Sequence, residues 1–415
     1  MSQHWTLVDL GPERIDEIDA VERWAWFAPD EAGRMERVRA NLAGPLKLWG
    51  AQTESGRLAG VAGSFHFDLP VPGGVLPTSG LTWVSVHPQF RRRGILRAML
   101  GKHFEDARAA GELASLLTAA EVPIYTRFGY GQVDRVVRVS LSRGVELYDV
   151  PGADEVEVTL EDAASPAAQE AAERAYMAVG AATGRSGWTP ARQDGAWSLH
   201  FDDPVETREL AEPLRVAIAR RAGQPTGFAL FRRKEGWSPD DVPTGKVHVY
   251  PLAAADAATS RALWSVVTNL DLTDSITTGP IPLDDPLFAL LKNPRITQRL
   301  GDFLHLRILD LPGCLAARSY SSDADLVIEV ADCLFEENAG RWRWQIKGGA
   351  ADVSRTDAEP DVRLDVRLLG SVLLGGISPV AYLDAGQLAE HTPGAVQRLA
   401  QALWVPRQPH CAFGF

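Results

Sequence analysis

The stretch Val84-Ser85-Val86-His87-Pro88-Gln89-Phe90-Arg91-Arg92-Arg93-Gly94-Ile95-Leu96-Arg97 decides how the rest of the chain is read. A β-prone run enters a proline-bearing turn, then three arginines, a glycine and an amphipathic helix. That helix presents Leu96, Met99, Leu100, Phe104 and Ala107 at helical spacing. Three cations at a helix N-terminus oppose the macrodipole, which favours anions there. A phosphate seated on the free N–H groups removes the conflict, with Gly94 letting the backbone approach closely. A solvated charged turn is the plainer reading of the arginines taken alone.

Outward from this stretch, residues 9–23 read as a helix. Residues 46–52 and 58–67 read as strands about a Ser55-Gly56 turn, and 81–86 as the strand entering the motif. A helix over about 94–110, a strand over 113–119 and an alternating run over 133–141 complete a mixed α/β sheet. This first domain is taken as residues 1–145, with a soft boundary at Pro151-Gly152. Residues 146–305 carry an Ala-rich helix (166–179) and a hairpin (214–220 with 227–233, turned by Gly223-Gln224-Pro225). A strand (246–252) and a helix (256–270) follow. That order echoes the first domain, but the junction Tyr250-Pro251-Leu252-Ala253-Ala254-Ala255-Asp256 has neither arginines nor glycine. The second domain is therefore expected to be a degenerate scaffold. In residues 306–415, strands are expected around 326–328, over 342–346 and over 361–367. In the last of these Val362, Leu364 and Val366 face one way and Arg363, Asp365 and Arg367 the other, with helices at 368–374 and 393–403 covering the dry face.

Composition bounds the function. The 415 residues predict two or three domains at roughly 150 each. Hydrophobic residues at 45% and charged residues at 23% are ordinary globular usage. Lys plus Arg is 42 against 54 for Asp plus Glu, a net charge of −12, which disfavours nucleic-acid binding and favours cationic partners such as amines. Cys314, Cys333 and Cys411 form no CxxC pair and leave one unpaired, which excludes zinc fingers and points to a reducing compartment. There is no apolar leader, and stretches such as 368–377 fall short of the ~20 residues of a membrane span, so a soluble cytoplasmic protein without membrane contact is expected. The nine histidines form no HExxH, and no metal site is expected. Gly184-Arg185-Ser186-Gly187 lacks the spacing of a nucleophile elbow.

The motif resembles the acyl-CoA pyrophosphate site of the GNAT N-acetyltransferases, Arg/Gln-x-x-Gly-x-Gly/Ala. Arg91 and Gly94 match, while Leu96 stands at the final small position. The later run Ala120-Glu121-Val122-Pro123-Ile124-Tyr125-Thr126-Arg127-Phe128-Gly129-Tyr130-Gly131 narrows this. With the triple arginine before it, it is similar to the Eis (enhanced intracellular survival) family. That resemblance implies tandem GNAT domains, the second degenerate, followed by a sterol-carrier-protein-like α/β domain. It implies acetyl-CoA as co-substrate, direct attack by an amine in a ternary complex, acceptors of the aminoglycoside and lysine side-chain kind, and a homo-hexamer.

Carried over by residue, the backbone of Val84, Ser85 and Val86 would meet the pantetheine arm and polarise the thioester carbonyl. Arg92, Arg93, Gly94, Ile95, Leu96 and Arg97 would hold the pyrophosphate, and Ala120 and Glu121 would line the opposite wall. Tyr125 resembles the family's general acid, and a phenol with pKa about 10 suits a departing thiolate of similar basicity. A core tyrosine clustered with Phe128 and Tyr130 is the competing reading. The apolar run Cys411-Ala412-Phe413-Gly414-Phe415 predicts a docked chain end, and Phe415 matches the family's terminal aromatic, whose α-carboxylate is the general base. Simple hydrophobic packing is the alternative. Trp24, Trp26, Phe27, Asp30, Glu31 and Trp83 are candidates for the acceptor pocket through cation–π and ionic contact, with core packing of the aromatics an equal reading. A GNAT acting on a small metabolic amine and a non-catalytic acyl-CoA or lipid carrier are the rival functions.

Overall fold

The computed structural model describes residues 5–26, 46–188, 196–205 and 208–414. Three sheets organise them. The first has seven strands in the order Trp5–Leu10 (β1), Lys47–Thr53 (β2), Leu58–Val71 (β3), Gly74–Val86 (β4), Ala114–Thr118 (β5), Leu304–Ile308 and Gly131–Gln132. Alternation along β3 sorts its side chains between two helices. Helix α1 (Ile15–Trp26) buries Ile15, Ile18 and Val21 with Leu58, Val61 and Phe65. Helix α2 (Ile95–Ala109) buries Ile95, Met99, Leu100, Phe104 and Ala107 with Trp49, Ala59, Ala62 and Leu117 on the other face. The short helix α3 (Val122–Thr126) follows β5. The helix expected from residue 9 starts later, because Asp9 is paired in β1 opposite Trp49 and Pro12–Arg14 forms a single 3-10 turn.

The chain leaves the first sheet after Gln132 rather than at the expected residue 145. Strand Val136–Ser142 belongs to the second sheet, where it pairs with Thr273–Thr278, Ile281–Pro282 and Thr297–Gly301. In exchange, Leu304–Ile308 returns to the first sheet between β5 and Gly131–Gln132. Local alternation marks such a segment as a strand but says nothing about its partner. Asp134 ties the crossing point, its Oδ1 accepting the backbone N–H of Phe303 and of Leu304, each at 3.0 Å. Burial pushes that carboxyl up to about 7.

The second sheet continues through Gly245–Ala254, Gln224–Lys234, Arg215–Arg221 and Glu157–Asp162, with helices Pro166–Thr183 and Ala257–Val267 packed on it. Its hairpin turns at Ala222-Gly223, both at positive φ (49° and 75°), one step earlier than expected; Gln224 is already paired with Arg221. The third sheet has the order Ala350–Arg355, Gly340–Lys347, Ala324–Ala331, Val362–Asp365, Ala389–Glu390. The strand expected over 361–367 is cut short. Asp365 caps helix Val366–Val372, its carboxylate accepting the Arg367 N–H at 2.8 Å, so Val366 and Arg367 belong to the helix.

The third domain shares one apolar core with the first: Leu69, Leu76, Leu116 and Leu306 sit with Ile328, Trp344, Leu369 and Leu403. Gly131 lies at this seam. A Cβ there would collide with the Arg367 carbonyl and the Ser371 hydroxyl of helix Val366–Val372. We expect Gly131→Ala to destabilise the protein by about 2 kcal/mol in denaturant unfolding, because backbone must shift to admit a methyl group. Gly101→Ala, in α2 with open space around its Cβ position, should be neutral or stabilising in the same assay.

Candidate active site

The site begins with a change of pairing. β4 and β5 run parallel only over Thr78–Gly80 and Ala114–Leu116. β4 continues to Val86 and β5 to Thr118, yet no ladder joins them beyond Gly80 among the described residues. β4 also carries one extra residue opposite Val61–Gly63, where Trp83 adopts φ 52°. A left-handed non-glycine residue is strained by roughly 1–2 kcal/mol. Here the indole packs into the α1 cluster with Ile18 and Val21, which holds the conformation. Such a bulge bends and twists its strand. Beyond the bulge Ser85 and Val86 stay paired with β3, while the β5 side of Val84–Val86 has no ladder among the described residues.

At the foot of the gap, α2 starts at Gly94 (φ 81°, ψ −2°) with no side chain capping its first turn. Ile95 rather than Leu96 supplies the fully buried first-turn contact. Arg91, Arg92, Arg93 and Arg97 are exposed, and none pairs with a carboxylate among the described residues. The loop carrying them is braced from behind. The Trp5 indole N–H donates to the Arg93 carbonyl (3.2 Å), and the Arg93 guanidinium lies 5.4 Å from the Phe90 ring centre. His87, buried, meets donors at both ring nitrogens, Gln89 N–H at Nδ1 (3.2 Å) and Arg57 at Nε2 (3.0 Å). Desolvation, then Arg57, lowers its pKa, and the neutral ring accepts from one of the two. An uncapped helix terminus ringed by unpaired arginines fits a pyrophosphate.

Tyr125 stands in α3, half-buried against the same cluster that takes Val84, Val86, Leu96 and Ala119. Burial, with a smaller contribution from Glu121, pushes its phenol up to about 12, so it is protonated at neutral pH. Its ring meets Tyr130 edge-on at 6.0 Å. The Tyr130 hydroxyl bonds Ser115 (2.7 Å), which bonds His103 (2.7 Å), a buried chain that fixes the Phe128-Gly129-Tyr130 turn. Gly129 has φ 83°, and a Cβ there would press on the Arg307 guanidinium. Ala120 and Glu121, which follow β5, are both exposed.

The α1 side of β4 is different in character. Ser85, 2% exposed, turns its hydroxyl away from the cofactor gap: it accepts from the Trp26 indole at 2.8 Å and donates to Glu22. Both hydrogen-bonding capacities of its hydroxyl are thus engaged from α1. Trp26, Trp83 and Ser85 therefore come together, while Trp24 stands against His87 at 5.4 Å. Asp30, Phe27, Glu31 and Phe415 lie outside the described residues. Glu22 was not anticipated. Its i, i+4 relation to Trp26 on an amphipathic helix was the available signal.

In the second domain the equivalent helix Ala257–Val267 is capped by its own Asp256, whose carboxylate accepts the Thr259 N–H (2.8 Å) and faces Arg221 (3.4 Å). A negative charge already occupies the anion position. Metal-binding groups of three or more His, Cys, Asp or Glu are absent among the described residues. No helix among them is long and apolar enough to cross a membrane.

A mixed sheet parted beside a bulged strand, above an arginine-flanked uncapped helix, is the architecture of a CoA-dependent GNAT acyltransferase. Residues 9–133 and 189–308 each match an acetyltransferase (GNAT) domain family, and 311–412 a sterol carrier protein domain family. An uncharacterised N-acetyltransferase of Streptomyces avermitilis is 37% identical over 383 residues, 89% of this chain and 92% of that protein. N-acetyltransferase Eis of Mycobacterium tuberculosis is 29% identical over 370 residues, 86% of each chain. The crystal structure of Eis1 from Mycobacterium abscessus superposes with a TM-score of 0.80 at 27% identity, covering 99% of this chain and 100% of that one. The chain belongs to the Eis family of GNAT N-acetyltransferases, and its fold implies use of acetyl-CoA.

If the arginines carry the phosphates, Arg92→Ala with Arg93→Ala should raise the acetyl-CoA KM at least tenfold with kcat less affected, since charge-assisted contacts are lost. Steady-state kinetics on the folded double variant checks this. An unchanged KM would remove the loop from the cofactor site.

Proposed function

We propose that the acceptors are primary amines of polycations, of the aminoglycoside and lysine side-chain type, acetylated by direct attack in a ternary complex. The observation that supports this most is the grouping of Glu22, Ser85, Trp26 and Trp83 on the α1 side of β4, a carboxylate beside an exposed indole. Such a wall attracts ammonium groups by charge and by cation–π contact, and the net charge of −12 adds a long-range pull.

In this reading acetyl-CoA supplies the acetyl group, and the chain does the rest. Backbone N–H groups of β4 beside the Trp83 bulge steady the carbonyl oxygen as the amine nitrogen bonds to the carbonyl carbon. Tyr125 gives its proton to the sulfur as the C–S bond breaks. The α-carboxylate of Phe415 takes the proton leaving the amine, the role its family resemblance assigns. Support for that placement comes from its neighbours. Phe413 is docked among Tyr176, Trp197, His200 and Phe228 of the second domain. A Cβ on Gly414 would lie 3.7 Å from Phe303, next to Leu304, which faces Thr118 at the open end of β5. Cys314, Cys333 and Cys411 form no disulfide, in keeping with a cytoplasmic enzyme. The resemblance further implies a homo-hexamer.

The test is thiol release from acetyl-CoA with kanamycin, a lysine peptide and a small metabolic amine as acceptors. Turnover with the polycations supports the proposal; turnover with the small amine alone transfers the function to that class. Tyr125→Phe should lower kcat by roughly 10²–10⁴-fold with acetyl-CoA affinity unchanged. Full activity at neutral pH would leave Tyr125 a packing residue. Amidation of Phe415, or a tag after it, should abolish turnover without loss of acetyl-CoA binding; retained turnover places the base elsewhere.

A further inference from the structure

The loop Gly184-Arg185-Ser186-Gly187 has no part in the chemistry above, yet it is among the most constrained turns in the molecule. It follows helix Pro166–Thr183 of the second domain, and the Gly187 N–H donates to the Pro70 carbonyl on β3 of the first (2.9 Å). Arg185 is only 7% exposed. Its Nη1 donates to the Gln408 carbonyl (2.5 Å) and to Asp284 Oδ1 (2.7 Å), and Asp284 Oδ2 accepts the Gln408 N–H (3.0 Å). Both backbone groups of Gln408 are thus held by one ion pair, of which Arg185 is the buried member and Asp284 the exposed one. Two residues on, the His410 N–H donates to the Ser186 carbonyl at 2.9 Å. Gly187, at φ 79°, lets His410 pass: a Cβ there would sit 3.3 Å from its nitrogen and 3.4 Å from its oxygen. Downstream, Phe413 stacks on His200 at 4.1 Å inside the aromatic slot, and the Cys411 thiol donates to the Phe413 carbonyl (2.8 Å).

We propose that this loop is a clamp that positions the C-terminal segment 408–413 for acyl transfer, with Arg185 as a positioning residue acting through Gln408. The inference rests on the proposed role of Phe415. A short tail is fixed successively at Gln408, His410 and Phe413, and restricting a reacting group's chain in this way raises its effective concentration at a site. The domain that has lost its own pyrophosphate site thereby serves the reaction of its neighbour. The sequence offers a trace of this: glycines flank an arginine and a serine just where a helix ends, although no elbow chemistry is present.

The test uses the full-length protein, comparing wild type, Arg185→Ala, Arg185→Lys and Phe413→Ala. Hydrogen exchange is read at the amides of 408–413 and of 95–109, beside kcat and the acetyl-CoA KM. Arg185→Ala should speed exchange at Gln408 and His410 at least tenfold and lower kcat at least tenfold. The acetyl-CoA KM and the protection of 95–109 should stay as in wild type. Arg185→Lys, which keeps the charge opposite Asp284, should restore part of both losses. Unchanged tail exchange in Arg185→Ala overturns the clamp, and a freed tail with unchanged kcat overturns its positioning role. Should Arg185→Ala not fold, Phe413→Ala, at a half-exposed site, decides by the same pair of readings. Absence of turnover in the wild type with every amine would sink the functional reading and the positioning role together, while exchange still judges the clamp itself.

Discussion

Three pairs of residues, Thr78–Gly80 against Ala114–Leu116, hold β4 and β5 together before the two strands part. The rest of the molecule is arranged around that brief parallel contact. If the ladder ran on, the backbone of Val84 to Val86 would be satisfied by β5 and no extended ligand could pair with it. The parting is maintained from both sides. On one, the extra residue at Trp83 bends β4, and the α1 cluster holds its indole in an unfavourable backbone region. On the other, β5 is held by Leu304–Ile308, which pairs along its whole length and draws it away from β4.

That second support comes from a distant part of the sequence, and it links the domains. Val136–Ser142 goes out to the second sheet and Leu304–Ile308 comes back to the first, with Asp134 bonded across the exchange. Arg307, on the returning strand, is fully buried and directs one nitrogen to both carboxylate oxygens of Asp332 in the third domain, each at 2.7 Å. A buried ion pair of this kind offers little net stability over an apolar pair, but losing one partner strands the other charge. Its guanidinium passes the place where Gly129 has no side chain, and helix Val366–Val372 passes Gly131. The turn that presents Tyr125 is therefore shaped by groups from the second half of the chain.

The two GNAT-like units differ in the cap of one corresponding helix. Gly94 leaves the first turn of α2 open among arginines; Asp256 fills the first turn of its counterpart with a carboxylate. The topology is otherwise alike, each unit having a parallel pair, β4 with β5 and Gly245–Val249 with Thr273–Thr278, that the helix crosses over. The second unit meets the chain's last described residues through Arg185, Ser186 and an aromatic slot.

Much of this was legible in the residue order alone. The strand–turn–arginine–glycine–helix run is local chemistry: periodicity, a positive-φ glycine and unpaired cations lie within fourteen positions, 84–97. The absence of arginines and glycine at the second unit's strand-to-helix junction was equally local. Tyr125 was found through the motif around it, but its surroundings were not, since the same motif's glycines answer to Arg307 and Arg367, which no local pattern connects to them. The alternation over 133–141 marked a strand and left its sheet open, and the alternation over 361–367 overran a helix cap at Asp365. Glu22 and the Arg185 clamp escaped for the same reason: a carboxylate on α1 and an arginine after a helix acquire meaning only from Ser85 and Gln408, sixty-three and two hundred and twenty-three positions away. Local sequence determined the uncapped, arginine-flanked start of α2, because that depends on neighbours along the chain. The gap in the sheet, the seat of Tyr125 and the anchorage of the tail were decided by tertiary structure, because each is a contact between segments whose partners are chosen only when the domains close on one another.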